Sequence, residues 1–450
     1  MQRLTTSDRV GTGAGRATRR GLRRFAGPAA AAAAAVAALT ALAACTSADA
    51  GTSKVAAPKP TTTAPGATVP AGAGDSSGTA TPPPPARVRV QPSRGAKAVD
   101  PITPVSVAVR NGTISSVRLV NAEGTHVSGA MSADATSWHA TEALGYDKSY
   151  TLVAEVKGAD GTTKVRRSRF TTVTPDNQTL PYFDDIYGDA LVRGGTYGIG
   201  MVAVVHFDEP IADRRAAEKT MQVTTTPHVA GAWYWTDDQT AHWRPRHFYA
   251  PGTVVHIAVK DYGHDYGGGL YGQADRRTWF RIGPKHYSVA NAKTHQVKVY
   301  FGSKLMRTMP TSMGQGGVVQ GTNGPIYLWT MPGIYTVIHH ENPAIMSSDS
   351  YGLPANSPYG YPPEPIPWST KISTDGIYLH ELDATVWAQG HENVSHGCLN
   401  LNHDNAKWFY LHSRVGDVVK VVHSGGPKIQ VWQGGDWSVP WKTWAKGGDV

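Results

Sequence analysis

The sequence predicts a mainly β protein that consists of two successive β sandwiches, a third β-rich domain with one main helix, and a C-terminal subdomain rich in tryptophan. Short apolar runs, several alternating with polar residues, lie between Gly, Pro, Asn and Asp turns over most of the chain. Residues 87–283 have the length of two sandwiches of roughly 90–100 residues each. Clear helical spacing of apolar side chains occurs in one segment, which begins near residue 405.

Residues 1–45 resemble an export signal rather than part of the fold. An arginine-rich stretch precedes an alanine-dominated apolar run from Phe25 to Ala44, which is the order of regions in a secretory signal. The run ends in Leu-Ala-Ala before Cys45, and this pattern resembles the lipobox of bacterial lipoproteins, whose cysteine is acylated. We therefore expect lipidation at Cys45; a membrane-spanning anchor and an ordinary signal peptide are the alternatives.

The formal net charge of +9 belongs largely to this segment. Residues 1–44 contain seven arginines and one acidic residue, so their removal leaves a charge of about +3. No later stretch combines dense lysine and arginine with interleaved aromatic residues, so nucleic acid is not an expected partner.

Residues 46–86 predict a disordered tether. They are mostly Ala, Gly, Thr, Ser and Pro, and such a composition has too few large apolar side chains to offset the entropy cost of folding. At roughly 3.1–3.5 Å per residue, about forty extended residues reach beyond about 100 Å. Together with Cys45, the tether predicts a lipid-anchored protein on the extracytoplasmic face of the cell membrane, with its domains held in the surrounding polymer layer.

The two sandwich domains are predicted at residues 87–175 and 176–283. A faint repeat supports this division, because Trp138 and Trp243 each lie twelve residues before a strand residue, Tyr150 and Val255 respectively. Neither domain contains a cysteine, so packing alone must hold each core. The predicted strands cover residues 87–90, 106–109, 117–120, 150–156, 201–207 and 254–259.

Two further features lie in the second sandwich. The segment 263–272 is rich in glycine and tyrosine and predicts a long mobile loop. Asp184, Asp185 and Asp189 are spaced as an acidic turn, and we favour a solvated turn over a calcium site because the spacing matches no known loop. No metal is assigned there.

The third domain is predicted at residues 284–423, with strands at 287–290, 296–301, 326–330, 335–339, 376–379 and 417–422. A helix is expected over residues 405–414, capped by Asp404 and ended by Gly416. The C-terminal subdomain, residues 424–450, places three tryptophans around Pro440. We expect them to pack against the preceding domain rather than to bind a ligand.

A lone thiol in an exported protein is the most informative chemical feature. Cys398 is one of two cysteines in the chain, and outside the cytoplasm an unpaired cysteine is a buried spectator, an intermolecular bridge or a nucleophile. A cysteine that attacks an acyl carbon needs a base near the sulfur and hydrogen-bond donors for the oxyanion. His380 follows a predicted strand and lies fifteen residues before Ser395, so a loop can return the chain to it.

These residues resemble the signature of the L,D-transpeptidases, whose catalytic domain is also called YkuD-like. The matching positions are His380, then Ser395, His396, Gly397 and Cys398, then Asn400. The resemblance extends over residues 285–444 and includes a segment at 350–358 that resembles the family's lid. The order of lipobox, tether, two immunoglobulin-like domains, catalytic domain and tryptophan-rich tail resembles that of actinobacterial members.

The resemblance implies a role for each matching residue. It implies that Cys398 is the nucleophile, that His380 is its base, and that the backbone carbonyl of Glu381 orients the imidazole. Serine is common in the family at this last position, and a carboxylate there is expected to raise the pKa of the histidine. Backbone amides around Gly397 and Cys398 are the expected oxyanion donors, and no cofactor is implied.

The resemblance also implies the residues that contact the donor stem peptide. They are Tyr361, Asp375, Gly376 and Asn400, with Met346 at the lid position that packs over the donor.

Two alternatives concern the histidines. His396 lies two residues before the thiol, so on an extended segment both side chains can share one side, and it stays a rival to His380 as the base. Eighteen histidines also raise the possibility of zinc. The spacing of His380-Glu381 and of His391-Glu392 does not fit a zincin helix, and the neighbours His339 and His340 would point to opposite faces of a strand, so we assign no metal.

The resemblance implies a peptidoglycan L,D-transpeptidase. Cys398 would attack the carbonyl of the third residue of a tetrapeptide stem, release D-alanine and form a thioester, which the side-chain amine of an acceptor stem would resolve into a 3-3 cross-link. The implied donor centre is meso-diaminopimelate, and the implied inhibitors are carbapenem-type β-lactams. The alternatives are an L,D-carboxypeptidase, an enzyme that anchors proteins to peptidoglycan, and an inactive wall-binding scaffold. The two N-terminal domains are expected to act as spacers.

Overall fold

The computed structural model describes residues 81–448. The predicted export signal, Cys45 and residues 46–80 of the predicted tether lie outside this range. Within it the chain is mainly β, as predicted, with thirty strands and three α-helices. None of the helices in this part of the chain combines the length and hydropathy needed to cross a bilayer.

The first domain is a sandwich of two antiparallel sheets, with strand orders β1-β2-β5-β4 and β3-β6-β7. Alternating side chains of the long strand β6 face the core, where Leu152, Ala154 and Val156 are fully buried. Trp138 packs into the same core. The strands are β1 (Arg87–Gln91), β2 (Ser106–Arg110), β3 (Gly112–Asn121), β4 (Gly129–Met131), β5 (Ser137–Ala140), β6 (Ser149–Gly158) and β7 (Thr163–Thr171).

The second domain contains two four-stranded sheets, ordered β10-β17-β15-β12 and β13-β14-β11-β9, and a short β16-β8 pair. Trp243 is buried in its core, so both tryptophans of the faint repeat are core residues. The elements are β8 (Asn177–Thr179), β9 (Pro181–Asp184), β10 (Thr196–Tyr197), β11 (Ala203–Phe207), α1 (Arg214–Thr220), β12 (Met221–Thr226), β13 (Gly231–Trp235), β14 (Thr240–Pro245), β15 (Val254–Val259), β16 (Leu270–Gly272) and β17 (Arg276–Ile282).

The mobile loop predicted at residues 263–272 is instead a packed joint between the two sandwiches. Tyr266 is fully buried, and its hydroxyl donates to Asp261 Oδ1 at 2.8 Å. The Tyr262 hydroxyl donates to the carbonyl of Leu144 in the first domain at 2.6 Å. Several glycines of the segment adopt positive φ and form tight turns that bury the tyrosines. The prediction of a mobile loop is wrong because glycine permits tight turns as well as flexible loops.

The third domain has two main sheets, ordered β20-β19-β18-β30-β23 and β24-β27-β28-β29, and two hairpins, β21-β22 and β25-β26. Helix α2 packs against β27 and β28. The strands are β18 (His286–Asn291), β19 (Gln296–Phe301), β20 (Lys304–Pro310), β21 (Val318–Gly321), β22 (Gly324–Tyr327), β23 (Gly333–Thr336), β24 (His339–Glu341), β25 (Ala344–Met346), β26 (Glu364–Ile366), β27 (Ser369–Lys371), β28 (Tyr378–Glu381), β29 (Leu399–Leu401) and β30 (Val418–Val422).

The helices of this part are short. They are α2 (His403–His412), α3 (Trp441–Trp444) and four 3-10 turns at Ser348–Tyr351, Asp383–Thr385, Val431–Gln433 and Asp436–Ser438.

Several element boundaries differ from the prediction, among them those of α2 and of the strand predicted at 335–339. Helix α2 begins two residues earlier than expected, because the side chain of Asn402 rather than Asp404 caps it by accepting from the Asn405 amide at 3.0 Å. Both residue types are good caps, so the sequence does not choose between them. The strand predicted at 335–339 divides into β23 and β24, which belong to different sheets. His339 and His340 do face opposite sides, toward Asp189 and Ser413 respectively.

The second sandwich and the third domain share a continuous core. Val418 of β30 belongs to the buried cluster of the second sandwich. The amides of Gly198 and Gly200 donate to the carbonyls of Val415 and Gly416, each at 2.8 Å. A Cβ on Gly198 would lie 2.1 Å from the Asp417 amide nitrogen, so this close backbone approach requires glycine. The second sandwich is therefore packed into the catalytic domain, and its expected action as a spacer stays a prediction.

The tryptophans of the tail pack on protein, as expected, but Trp437 and Trp444 contact the second sandwich, while other tail residues contact the preceding domain. Arg244 of that sandwich is buried, with its guanidinium carbon 4.4 Å from the ring centre of Trp444 and 4.8 Å from that of Trp437. Indole nitrogens of the tail donate to backbone carbonyls of the same sandwich, from Trp437 to Gly200 at 2.8 Å and from Trp444 to Ala232 at 3.0 Å. The tail thus fastens the third domain to the second.

Replacement of Trp444 by alanine should lower the free energy of unfolding by about 3–5 kcal/mol, because it empties a fully buried site and removes the cation–π contact. Thermal and urea unfolding of the second and third domains measure this loss. Trp432→Ala is the matched control, since this side chain is 68 % exposed, and its effect should stay within about 0.5 kcal/mol. Equal unfolding curves for wild type and Trp444→Ala would contradict this role for the tail.

Candidate active site

The predicted base lies on β28, and the predicted nucleophile immediately precedes the neighbouring parallel strand β29. In the pairing of β28 with β29, Leu379 lies opposite Leu399 and His380 opposite Asn400. Side chains alternate between faces along each strand, so His380 and Asn400 share a face. Cys398, two residues before Asn400, lies on that face too, diagonal to His380. The two halves of the signature, separated in sequence, therefore meet because of strand register.

Ser395 closes the turn that presents the thiol. Its hydroxyl donates to the Cys398 carbonyl at 2.6 Å and accepts from the Gly397 amide at 3.1 Å. Gly397 has a φ of 150°, in the region that favours glycine. Because the Gly397 amide is engaged by Ser395, only the Cys398 amide of the expected pair is left as an oxyanion donor from this turn.

Hydrogen bonds from other parts of the chain also stabilise this turn, and the sequence analysis did not single out the residues that make them. The hydroxyl of Thr330 donates to the Gly397 carbonyl at 2.6 Å and accepts from the Gly314 amide at 2.9 Å. The Ser395 amide donates to the Met313 carbonyl at 2.9 Å. These contacts join residues that are distant in sequence, and no local sequence motif predicts them.

The ring of His380 has a fixed orientation. Its Nδ1–H donates to the Glu381 carbonyl at 2.9 Å, as the resemblance implied, and this leaves Nε2 as the basic nitrogen. The Glu381 carboxylate is turned away and accepts from His403 Nδ1 at 2.8 Å. Burial lowers the pKa of His380 to about 4, so the expected rise from the neighbouring carboxylate is wrong.

The thiol of Cys398 is protonated at neutral pH. Loss of solvation raises its pKa to about 11; the charge of Asp375 adds to the rise, and a hydrogen bond from the Tyr378 backbone opposes it. The sulfur donates to the Gly376 carbonyl at 3.5 Å. Free thiol and neutral imidazole are therefore the resting forms, and a thiolate arises only when the proton moves to a base.

Two cavities meet at Cys398. The larger, of about 700 Å³, is lined by Asp375, Gly376 and Gly397 among others, and the smaller, of about 250 Å³, by His380 and Asn400. Met346 and Ser395 also line the smaller cavity. Three residues line both: Tyr361, His396 and Cys398. All ten predicted catalytic and donor-contacting residues therefore surround these two spaces.

His396 belongs to an aromatic partition between the cavities. Its ring stacks on Tyr361, with 5.7 Å between centroids and 9° between planes. Its Nδ1 lies 3.4 Å from the hydroxyl of Tyr351, on the 3-10 turn of the lid segment. Burial lowers its pKa, so this ring is also neutral at pH 7.

The C-terminal subdomain contributes to the larger cavity, which the sequence analysis did not anticipate. Gln433 is buried and donates from Nε2 to Asp375 Oδ2 at 2.5 Å. The exposed ring of Trp432 lines the same cavity, and its carbonyl accepts from the Thr374 hydroxyl at 2.6 Å. The tail is thus joined to the loop that carries Asp375 and Gly376.

Among residues 81–448, no cluster of three or more His, Cys, Asp or Glu side chains is arranged to hold a metal ion. The carboxylate of Asp185 instead accepts three backbone amides of its own turn, those of Tyr187, Gly188 and Asp189. Asp189 pairs with His339 Nδ1 at 2.8 Å. These acidic residues stabilise a turn and an interdomain contact.

Comparison with known proteins agrees with this geometry. Residues 285–421 match the family model of the L,D-transpeptidase catalytic domain, and residues 96–265 match that of a bacterial Ig domain. L,D-transpeptidase 2 of Mycobacterium tuberculosis is 40% identical over 354 residues, which cover 78% of this chain and 82% of that protein. This chain belongs to the L,D-transpeptidase family. The family confirms the predicted order of immunoglobulin-like region and catalytic domain and identifies the chain as an enzyme.

Two further relatives of this L,D-transpeptidase come from the same organism. L,D-transpeptidase 5 is 34% identical over 374 residues and covers 81% of this chain and 77% of its own. A solved structure of L,D-transpeptidase 3 in complex with a faropenem-derived adduct is 30% identical, with a TM-score of 0.41, and covers 51% of this chain and 94% of its own.

The alkylation rate of Cys398 by iodoacetamide should rise about tenfold per pH unit from pH 7 to 9, because only the thiolate reacts and the raised pKa keeps its fraction far from saturation. Peptide mapping by mass spectrometry measures this rate at Cys398. A plateau that begins below pH 7 would indicate a resting thiolate–imidazolium pair and would contradict the assignment of neutral forms.

Proposed function

We propose that this L,D-transpeptidase forms 3-3 cross-links in peptidoglycan through a thioester on Cys398. The observation that carries the proposal is the position of one thiol at the junction of two cavities, diagonal across parallel strands from a buried, neutral imidazole. Such an arrangement suits acyl transfer between two bulky partners.

In the first half-reaction the Cys398 proton passes to His380 Nε2 as the sulfur attacks the carbonyl of the third residue of a tetrapeptide stem. The tetrahedral intermediate then collapses: the bond to the terminal D-alanine breaks, and the imidazolium returns its proton to the leaving amine. The products are free D-alanine and a thioester. Nδ1 stays bound to the Glu381 carbonyl throughout, so the ring keeps its orientation.

In the second half-reaction the side-chain amine of an acceptor stem attacks the thioester. His380 takes the proton of the amine and delivers it to the departing sulfur, which restores the resting thiol. The same imidazole serves the leaving amine and the incoming amine, so both must approach from its side. Of the two cavities, His380 lines the smaller. The smaller cavity therefore takes D-alanine and later the acceptor amine, and the larger takes the acyl part.

The geometry favours His380 over His396 as this base. The Nδ1–H of His380 is committed to a carbonyl, which leaves a basic Nε2 on the face that carries the thiol. His396 instead stacks on Tyr361 and contacts the lid through Tyr351. We assign His396 and Tyr361 to the wall that separates the acyl part of the donor from the acceptor.

Donor contacts follow from the same division. Asp375 and Gly376 would contact the acyl part in the larger cavity, Asn400 and Met346 would border the amine side, and Tyr361 would touch both. Carbapenem-type β-lactams are proposed inhibitors, because a strained lactam carbonyl that enters the larger cavity presents an acyl carbon to the same sulfur.

We further propose that the enzyme is lipid-anchored through Cys45 on the extracytoplasmic face of the cell membrane. Support comes from the sequence alone, from the lipobox-like run and the tether that follows it. The first sandwich would extend the reach of the tether into the cell wall, whereas the second, which shares a core with the catalytic domain, is part of the catalytic body.

Muropeptide tetrapeptides incubated with the enzyme should yield 3-3 dimers and free D-alanine, detected by mass spectrometry, and Cys398→Ala should yield neither, because the thioester cannot form. Trimmed monomers without dimers would indicate an L,D-carboxypeptidase. Transfer to protein lysines alone would indicate an anchoring enzyme, and no change with the wild type would indicate a scaffold. Each of these three outcomes contradicts the proposed transpeptidation.

A further inference from the structure

A fixed negative charge lies in the larger cavity next to the reacting sulfur. Asp375 lines this cavity and immediately precedes Gly376, whose carbonyl accepts the Cys398 thiol at 3.5 Å. Adjacent Cα atoms are about 3.8 Å apart, so the carboxylate borders the space where the acyl part of a donor must lie. It is partly exposed to that space.

Two neutral donors hold the carboxylate in place. The Ser373 hydroxyl donates to Oδ1 and the Gln433 amide to Oδ2, each at 2.5 Å. Ser373 and Gln433 are both buried. The Ser373 hydroxyl also accepts from the Ile377 amide at 2.9 Å, and Gln433 Oε1 accepts from the Gln430 amide at 2.8 Å. This frame fixes the position of the charge without neutralising it.

The other charges around the larger cavity do not cancel this one. Its lining contains a second carboxylate, Asp349 on the 3-10 turn Ser348–Tyr351, and one ammonium, Lys428. His396 is neutral at pH 7 because burial lowers its pKa. The described lining therefore has a net charge of about −1 at neutral pH. Lys371, which is outside the lining, interacts electrostatically with Asp375, but both hydrogen-bond donors to the carboxylate are neutral.

We infer that Asp375 selects acyl donors that carry a positively charged group on the residue whose carbonyl is attacked, and that Gln433 positions Asp375 for this role. The inference rests on the proposed function, since it assumes that the acyl part occupies the larger cavity. A carboxylate in a partly desolvated cavity attracts an ammonium more strongly than one in bulk water does, and it repels an anion equally. The free side-chain amine of the donor is the group that fits.

In the absence of a donor, the charge of Asp375 lowers the reactivity of the Cys398 thiol. A carboxylate near Cys398 disfavours the thiolate and raises its pKa. Removal of the charge should therefore make Cys398 more reactive toward a small neutral electrophile and less reactive toward a cationic donor. A merely structural defect would lower both reactivities, so the two measurements together distinguish the roles.

The test compares two donors, a meso-diaminopimelate tetrapeptide and the same peptide acetylated on its side-chain amine. The readout is kcat/KM for D-alanine release by the full-length protein. For wild type we expect a preference of about tenfold for the free amine, equivalent to about 1.4 kcal/mol. Asp375→Asn should reduce this preference to about onefold to threefold and should increase the iodoacetamide alkylation rate of Cys398.

Two further variants complete the test. Gln433→Met should lower kcat/KM for the free-amine donor more than for the acetylated donor, because it releases the carboxylate without removing its charge. Glu392→Gln, which removes an exposed carboxylate of the same domain, is the control and should behave as wild type.

The outcomes separate the inference from the proposed function. A wild-type enzyme that releases D-alanine equally from both donors, or an Asp375→Asn variant that keeps the full preference, overturns the inference alone. A parallel loss of D-alanine release and alkylation in Asp375→Asn overturns it as well, in favour of a structural role. Release of D-alanine from neither donor by wild type overturns the proposed function and the inference together.

Discussion

The register between strands β28 and β29 is the constraint on which the active site depends. A parallel pair keeps the side chains of both strands in step, so one register places His380 and Cys398 on a common face. A shift by one residue would turn the thiol to the opposite face. The hydroxyls of Ser395 and Thr330 donate to backbone carbonyls of the turn that leads into β29, and these hydrogen bonds hold the turn in place. The catalytic geometry is therefore a property of the sheet and not of a flexible loop.

Burial sets the chemistry of this pair. Loss of solvation lowers the pKa of the imidazole and raises that of the thiol, so the resting enzyme holds both groups neutral. A protonated thiol reacts slowly with oxidants and stray electrophiles, which suits an unpaired cysteine outside the cytoplasm. The nucleophile then forms as the proton moves to His380 during attack on the donor carbonyl. The charge of Asp375 raises the pKa of the thiol further. In the inferred role, the same charge attracts donors that carry an ammonium group.

The sequence predicted which residues surround the thiol better than it predicted the contacts that support them. Domain order, the mainly β class and the residues around the thiol followed from turn spacing and from one dense signature. Long-range contacts did not follow: Thr330 and Gln433 act through hydrogen bonds to residues 67 and 58 positions away, and no local pattern marks them. The composition of residues 263–272 predicts a mobile loop where the structure has a packed joint, because glycine permits both flexible loops and tight packed turns. The shared core at Val418 was hidden for a similar reason, since a buried valine does not reveal which domain covers it.

The most direct test of the account compares acylation of Cys398 by a carbapenem in wild type, His380→Ala and His396→Ala, followed as adduct formation on the intact protein by mass spectrometry. If the strand register makes His380 the base, its loss should reduce the acylation rate by about 10²–10⁴-fold. Loss of His396 should leave acylation at Cys398 within about tenfold of wild type, because its ring only shapes the wall between the cavities. Abolition of acylation by the His396 change alone, with His380→Ala still reactive, would contradict the account.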